Sequence, residues 1–137
     1  MCSVLIVEDN SVFCSALRNF LSAAFPSVEI EEASNGEEAL HKFRILKPVL
    51  ILMDIRLPDI NGLVLTRMIK NICPDTEVIL LTSHNIFEYR EAGLRSGASH
   101  FVIKGSARVD DITTLVESIL FSKNQISTPF DRSILSG

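Results

Sequence analysis

The chain has 137 residues and a formal net charge of −4, with 47% hydrophobic and 22% charged residues, a composition typical of one globular domain. No uncharged apolar run approaches the roughly 18 residues that span a bilayer, and the start lacks the basic region of a secretory signal, so we expect a cytoplasmic chain without membrane contact. The acidic balance and three widely spaced cysteines also argue against direct contact with nucleic acid, a disulfide framework and a zinc site.

The first two predicted strands differ in how deeply they are buried. Ser3–Val7 is a short, largely apolar run without alternation, which predicts a strand buried on both faces of a parallel sheet. Apolar residues then recur at helical spacing over Asn10–Phe25, with Asn10 or Ser11 available as the cap and Pro26 as the stop. Val28–Ala33 alternates apolar and acidic residues, so we expect it at an edge of the sheet.

The middle of the chain repeats this strand and helix pattern. A turn at Asn35-Gly36 precedes an amphipathic helix that ends before Pro48. Val49–Met53 is a second fully apolar run and predicts another buried strand. A loop with turn residues then leads into a helix predicted over Leu63–Ile72.

The last third of the chain predicts two more strands and two more helices. Glu77–Leu81 is the third apolar run, and a helix is predicted after it over Ile86–Ser96. His100–Ile103 predicts the fifth strand. The final helix is predicted near residues 110–121, with Asp110 or Asp111 as its cap.

Strands and helices therefore alternate five times along the chain. Alternation of this kind, with apolar central strands, predicts an open parallel sheet covered by helices on both faces. We assign residues 1–121 to this single α/β domain. Residues 122–137 contain a proline and several serines, and we interpret them as a tail or the start of a linker.

Polar side chains of functional type stand where four of the five predicted strands end. Glu8 and Asp9 follow the first strand, Asp54 the third, Thr82 the fourth and Lys104 the fifth. Ligands of open α/β sheets bind at the carboxyl ends of the strands, so the fold would bring these five residues to one rim. One acidic residue after a strand often only caps the next helix, but that explanation does not account for the whole set.

The residue types at this rim predict a phosphoryl-accepting site with a divalent cation. Glu8, Asp9 and Asp54 would repel one another, and a hard cation such as Mg²⁺, or Mn²⁺, would neutralise them. Lys104 would pair with a carboxylate in the empty site and with a phosphoryl oxygen in the filled one, while Thr82 would offer a hydroxyl donor. Asp54 is the nucleophile we expect, because a carboxylate can form an acyl phosphate.

At this point the sequence resembles the receiver domain of bacterial two-component response regulators. The stretches that carry the likeness are VLIVEDN, ILMDIRLPDINGL, ILLTS and GASHFVIK, and they extend from about Val4 to Phe121. The resemblance implies a flavodoxin-like (βα)5 fold, doubly wound, with a five-stranded parallel sheet in the order 2-1-3-4-5. It also implies that the chain is no enzyme beyond catalysing its own phosphorylation and dephosphorylation.

The resemblance assigns roles to particular residues. Asp54 matches the phosphoacceptor of the family, and the acidic pair, the hydroxyl residue and the lysine fall on the four other residues at the strand ends. The backbone carbonyl of Arg56 matches a further metal ligand, and Phe101 matches an aromatic switch that acts with Thr82. Phe101 lacks the hydroxyl of the commoner tyrosine, and an ordinary core aromatic is an equally good interpretation of it.

The resemblance also implies the partners. A phosphohistidine on a sensor histidine kinase would donate to Asp54, and the signal would reach a face formed by the fourth helix, fifth strand and fifth helix. Phosphorylation-dependent homodimerisation is a further implied property. Lys104-Gly105-Ser106 resembles receivers that precede LuxR-type helix-turn-helix domains, so we expect a transcription regulator whose effector is absent from this chain, with a stand-alone receiver as the alternative.

Three rival functions fit the sequence less well. A haloacid-dehalogenase-type phosphatase needs a second aspartate two residues after the nucleophile, and that position is Arg56. A flavodoxin-like flavin binder needs a phosphate loop after the first strand, where Glu8 and Asp9 would repel the phosphate. An interaction module with an inactive site is disfavoured by the complete set of five strand-end residues.

Overall fold

The computed structural model describes residues 2–83, 87–105 and 108–126, without the side chains of 87–90. Within these ranges five strands and five helices alternate, as predicted. The strands are β1 Ser3–Val7, β2 Glu29–Ala33, β3 Leu50–Asp54, β4 Glu77–Thr82 and β5 His100–Ile103. The helices are α1 Ser11–Ala24, α2 Gly36–Leu46, α3 Gly62–Ile72, α4 Phe87–Arg95 and α5 Val109–Ser122.

All neighbouring strands pair in parallel, in the order β2-β1-β3-β4-β5. The three apolar runs form β1, β3 and β4 in the centre of the sheet, where nearly every residue is buried. β2 lies at one edge, as its alternating acidic residues predicted, and β5 lies at the other. The predicted parallel α/β sheet and its strand order are therefore confirmed.

Alternate residues of the central strands build two apolar cores on opposite faces of the sheet. α1 and α5 cover one face, where Leu17, Leu21 and Val116 pack on residues such as Ile6. α2 and α3 cover the other face, together with the segment around α4. This sandwich leaves the carboxyl ends of the strands uncovered, which is where the loops that build the site begin.

Helix caps account for most of the helix boundaries. Asn10 caps α1 by accepting a hydrogen bond from the N–H of Phe13 at 3.0 Å, which decides between the two predicted caps. The prediction for α5 was wrong: Arg108 takes the cap position, and Asp111 accepts from its N–H at 3.1 Å. Asp111 thus lies in the first helical turn, where its carboxylate also suits the helix dipole.

Two further findings concern membrane-spanning helices and the C-terminal segment. Within the described residues no helix is both long enough and apolar enough to cross a membrane. α5 continues to Ser122, and most of the segment interpreted as a tail lies outside the described residues.

Candidate functional site

The parallel sheet brings the five predicted residues to one rim. Glu8 and Asp9 follow β1, Asp54 is the last residue of β3, Thr82 is the last of β4, and Lys104 follows β5. Glu8, Asp54 and Thr82 are buried, while Asp9 is exposed. The β4–β5 pair is extended beyond the strands by a hydrogen bond from the Lys104 N–H to the Thr82 carbonyl at 2.7 Å, which fixes the backbone of the lysine at the rim.

The three carboxylates form one cluster. Glu8, Asp9 and Asp54 each offer an oxygen, and these oxygens all lie within 4.8 Å of one another. An arrangement of two buried carboxylates and one exposed carboxylate is open to solvent on one side only. Such a cluster is suited to a hard divalent cation that keeps part of its water shell.

Lys104 is the cation that the described residues place against this cluster. Its Nζ lies 2.5 Å from Glu8 Oε1 and 3.5 Å from Asp54 Oδ2. It also lies 5.0 Å from the centre of the Phe13 ring. The ammonium group is thus in contact with two carboxylates and one aromatic face.

Burial and the neighbouring carboxylate of Asp54 affect the pKa of Glu8 more strongly than Lys104 does. Burial, followed by the hydrogen bond with Asp54, raises the pKa of Glu8 to about 8, although Lys104 acts in the opposite direction. Its second oxygen, Oε2, is buried and has no hydrogen-bond partner among the described residues. A buried carboxylate oxygen without a donor is costly, so this atom is a position that a cation would satisfy.

The loop after β3 is held tightly against Asp54. The N–H of Arg56 donates to Asp54 Oδ1 at 3.3 Å, and Arg56 forms an antiparallel bridge with Asn61. The N–H of Gly62 donates to the Ile55 carbonyl at 2.7 Å. A Cβ at Gly62 would lie 2.1 Å from the Asp54 carbonyl oxygen, so only glycine allows this approach.

Asp59 is a residue of this loop that the sequence argument missed. Its carboxylate accepts hydrogen bonds from the N–H groups of Gly36 at 2.8 Å and Glu37 at 2.9 Å. These two bonds hold the pKa of Asp59 below its ordinary value. Asp59 therefore ties the loop after β3 to the start of α2, and a carboxylate in a turn gives no sequence signal of so distant a partner.

The cluster faces an open cleft of about 610 Å³. Its walls come from the loops after β1, β3, β4 and β5. The cleft is lined by Asp9, Asn10, Phe13, Asp54, Arg56, Ser83, Lys104 and Gly105. A phosphoryl group is small enough to fit in this volume. Phe13 and Asn10 also line the cleft but do not stand at strand ends, so the pattern of polar residues after the strands did not predict them.

The remaining predicted residues lie around the cleft. Phe101 is half-buried and packs against the core on the α2 and α3 face, next to Gly93 of α4. This contact fits both interpretations of Phe101, as a switch and as a core aromatic. Ser106, part of the Lys-Gly-Ser cue, lies outside the described residues.

The fold and the rim of acidic, hydroxyl and lysine residues define a class of signalling domain, and comparison with known proteins names it. The profile of the response regulator receiver domain family matches residues 4–117. The chain belongs to this family, as the sequence resemblance predicted, and is a receiver domain of two-component response regulators.

Individual relatives agree with the family. The response regulator GacA of Pseudomonas protegens is 29% identical over 127 residues, which are 93% of this chain and 59% of GacA. The regulatory protein AtoC of Escherichia coli is 34% identical over 119 residues, 85% of this chain and 25% of AtoC. The crystal structure of a two-component response regulator from Clostridium difficile superimposes with a TM-score of 0.83 at 27% identity, covering 90% of this chain and 99% of that one. Across most of the first curated relatives, this chain spans about half of their length.

Proposed function

We propose that this receiver domain accepts a phosphoryl group on Asp54 from a sensor histidine kinase and thereby changes the binding of a partner. The observation that carries the proposal is the joint contact of Lys104 with Glu8 and Asp54 beside the carboxylate cluster, at the floor of an open cleft. A nucleophile, a cation and a metal-binding cluster in contact are the parts that phosphoryl transfer needs.

The metal site would consist of Glu8, Asp9, Asp54 and the backbone carbonyl of Arg56, and Mg²⁺ or Mn²⁺ fits these ligands. The oxygen spacing within 4.8 Å and the unpartnered Oε2 of Glu8 both support an all-oxygen divalent site. When bound, the ion would neutralise the charge of the incoming phosphoryl group. The donor set contains neither histidine nor cysteine, which argues against zinc.

The residues at the rim have distinct roles in the transfer, beside the cation that the carboxylate cluster would hold. A carboxylate oxygen of Asp54 attacks the phosphorus, a P–O or P–N bond to the donor breaks, and the donor group leaves with the bonding electron pair. Lys104 would move its ionic contact from Asp54 to a phosphoryl oxygen, while the Thr82 hydroxyl would donate to another. Arg56 occupies the position where a dehalogenase-type phosphatase has its second aspartate, so the phosphoryl group is retained as a signal and not passed through rapid turnover.

The signal would leave the site through Thr82 and Phe101. Thr82 ends β4, Phe101 lies within the neighbouring strand β5, and the Phe101 ring lies next to Gly93 of α4. A shift of these residues would change the α4, β5 and α5 face, which would bind a partner or a second phosphorylated copy. We propose that the output is regulation of transcription from the cytoplasm through an effector outside residues 1–121, with no direct nucleic-acid contact by this acidic chain.

A phosphorylation assay tests the proposal directly. Incubation with Mg²⁺ and acetyl phosphate should add the mass of one phosphoryl group to the wild type and retard it on a phosphate-affinity gel. Asp54→Ala should gain nothing, whereas Asp75→Ala, which removes an aspartate from the α3–β4 connection, should be modified like the wild type. EDTA should abolish the adduct. An unmodified wild type, or equal modification of Asp54→Ala, would contradict the proposal.

A further inference from the structure

Phe13 is the one described side chain that meets the Lys104 ammonium through an aromatic face. The Nζ of Lys104 lies 5.0 Å from the ring centre, within the range of a cation–π interaction. Phe13 also lines the cleft beside Asp9 and Asn10. The same ammonium contacts Glu8 at 2.5 Å and Asp54 at 3.5 Å, so ring and carboxylates together define its position.

The place of the Phe13 ring is fixed by the start of α1. The backbone N–H of Phe13 donates to the side chain of the capping residue Asn10 at 3.0 Å, and the side chain is half-buried against the core under α1. α1 itself begins at Ser11, directly after the loop that carries Glu8 and Asp9. The start of α1 therefore places the ring at the edge of the cleft, beside the residues that follow β1.

An aromatic face attracts the Lys104 ammonium group and leaves its N–H donors free for other partners, which a further carboxylate would not do. An ammonium group has three N–H donors and no acceptor, and the carboxylates take up donors that a phosphoryl oxygen would need. The ring attracts the charge without accepting a conventional hydrogen bond, and it adds no negative charge to a site that already holds three carboxylates.

We infer that Phe13 is a positioning residue for phosphoryl transfer, which keeps the Lys104 ammonium over the cleft while its ionic partners change. The inference rests on the proposed function of Asp54. Leucine at this position would preserve the apolar packing and lose the interaction with the charge, whereas tyrosine and tryptophan would retain it.

The rate of phosphorylation by acetyl phosphate at saturating Mg²⁺ tests this role. Phe13→Leu should react about two- to fivefold more slowly than the wild type, the factor expected for a cation–π contact near a protein surface. Phe13→Tyr and Phe13→Trp should restore the rate. The matched control is Phe20→Leu, which removes a ring two turns further along α1 and should react like the wild type. Equal rates for Phe13→Leu and wild type, or no rescue by the two aromatic variants, would overturn the inference.

A second measurement separates this inference from the proposed function, because it needs no phosphodonor. In the wild type, the methylene protons next to the Lys104 Nζ should be shifted upfield by the Phe13 ring current in NMR spectra, with Lys104→Arg used to assign them. Phe13→Leu should remove the shift and Phe13→Tyr should keep it. An unshifted Lys104 in the wild type would overturn the inference even where Asp54 is phosphorylated. A wild type that forms no adduct but shows the shift would instead refute the function of Asp54.

Discussion

At the residue scale, the buried carboxylate of Glu8 is a feature of the site that lowers the stability of the fold. It is buried beside Asp54, one of its oxygens has no hydrogen-bond partner among the described residues, and its pKa is raised to about 8. An ionised carboxylate here costs free energy that an apolar core residue would not. Functional sites often keep such costs, because the group that destabilises the empty site is the one that binds the ligand.

The raised pKa of Glu8 predicts an unusual dependence of stability on pH. In the unfolded chain the group titrates near 4.5, and in the folded chain near 8, so the folded state holds the proton more tightly across this range. The stability that the protonated group contributes is complete below pH 4.5 and is lost as the pH rises towards 8. One pKa unit corresponds to about 1.4 kcal/mol, so the free energy of unfolding should fall by a few kcal/mol.

Thermal unfolding in EDTA between pH 5 and pH 8 would measure this loss. Glu8→Gln should unfold with a much flatter pH profile than the wild type, while Glu37→Gln, at an exposed position of α2, should keep the wild-type slope. All three proteins share the same three histidines, so the difference isolates Glu8. Mg²⁺ should raise the Tm of the wild type more at pH 8 than at pH 5, since it binds the deprotonated carboxylate. Parallel profiles for wild type and Glu8→Gln would contradict this account.

At the scale of single residues, the sequence could predict which side chains lie at the same rim of the sheet, but not the contacts between them. Asp54 and Lys104 were expected at one rim because each follows a strand, and parallel strands place their ends together. The contact of Phe13 with Lys104 depends on the start of α1 and on two side-chain conformations, none of which leaves a pattern in the sequence. The bonds from Asp59 to the start of α2 escaped prediction for the same reason.

At the scale of elements, the loop between β3 and α3 is built around one glycine. Gly62 begins α3, and its missing Cβ lets the helix lie against the backbone of Asp54 and Ile55. A strand end and a helix start thus share one point of close contact directly behind Asp54, the proposed phosphoacceptor. The position of Asp54 therefore depends on a residue that takes no part in the chemistry.

Replacing Gly62 should accordingly damage both stability and phosphorylation. In Gly62→Ala the new Cβ would lie 2.1 Å from the Asp54 carbonyl oxygen and 2.8 Å from the Ile55 Cα, so backbone must move. We expect a loss of at least about 2 kcal/mol in the free energy of unfolding, as for other overpacked sites. Phosphorylation by acetyl phosphate should slow in the folded fraction. Denaturant unfolding and the phosphate-affinity gel measure the two effects.

Two other glycines provide graded controls for that experiment. A Cβ at Gly36 also meets an atom at 2.1 Å, but this atom is the end of the Ile60 side chain, which can turn away, so Gly36→Ala should cost less. A Cβ at Gly105 meets nothing within 4 Å, so Gly105→Ala should leave stability unchanged. Equal stability of the Gly62 and Gly105 variants would mean that the backbone contact at Asp54 is not restrictive.

Element types were predictable because each central strand is a short apolar run and helices such as α1, α2 and α5 have an apolar stripe. Element ends were predictable where a residue with strong preferences stands there, such as Asn10 before α1. The start of α5 was not predictable. Asp110 and Asp111 are both common cap residues, but Arg108 occupies the cap position. Arginine has no intrinsic preference for caps, so local sequence could not identify Arg108.

At the scale of the molecule, alternation of strands and helices indicated a parallel sheet with helices on both faces. It did not by itself give the order of the strands, which followed from the family resemblance and is confirmed as β2-β1-β3-β4-β5. That order places β1 and β3 side by side. It therefore brings Glu8 and Asp54 into contact, although the two residues are far apart in the sequence.

At the same scale, the contacts of residues 122–126 bear on the domain boundary that the sequence predicted at residue 121. Lys123 donates to the Asp75 carbonyl and lies 3.5 Å from Glu77 at the start of β4. The N–H of Gln125 donates to the Leu120 carbonyl at 2.9 Å, and Ile126 packs against the core under α1 and α5. We propose that residues 122–126 stabilise the domain and are not linker.

Two shortened chains would test this boundary. A chain that ends at Phe121 should be less stable than one that ends at Ile126 by about 1–2 kcal/mol, mainly because it loses the apolar contact of Ile126. Lys123→Ala in the longer chain should account for only a small part of the difference, since ion pairs that stay in contact with solvent contribute little. Chemical denaturation gives the three free energies of unfolding. Equal values for the two shortened chains would return the boundary to residue 121, whereas a loss reproduced by Lys123→Ala alone would assign the stabilisation to the link between α5 and β4.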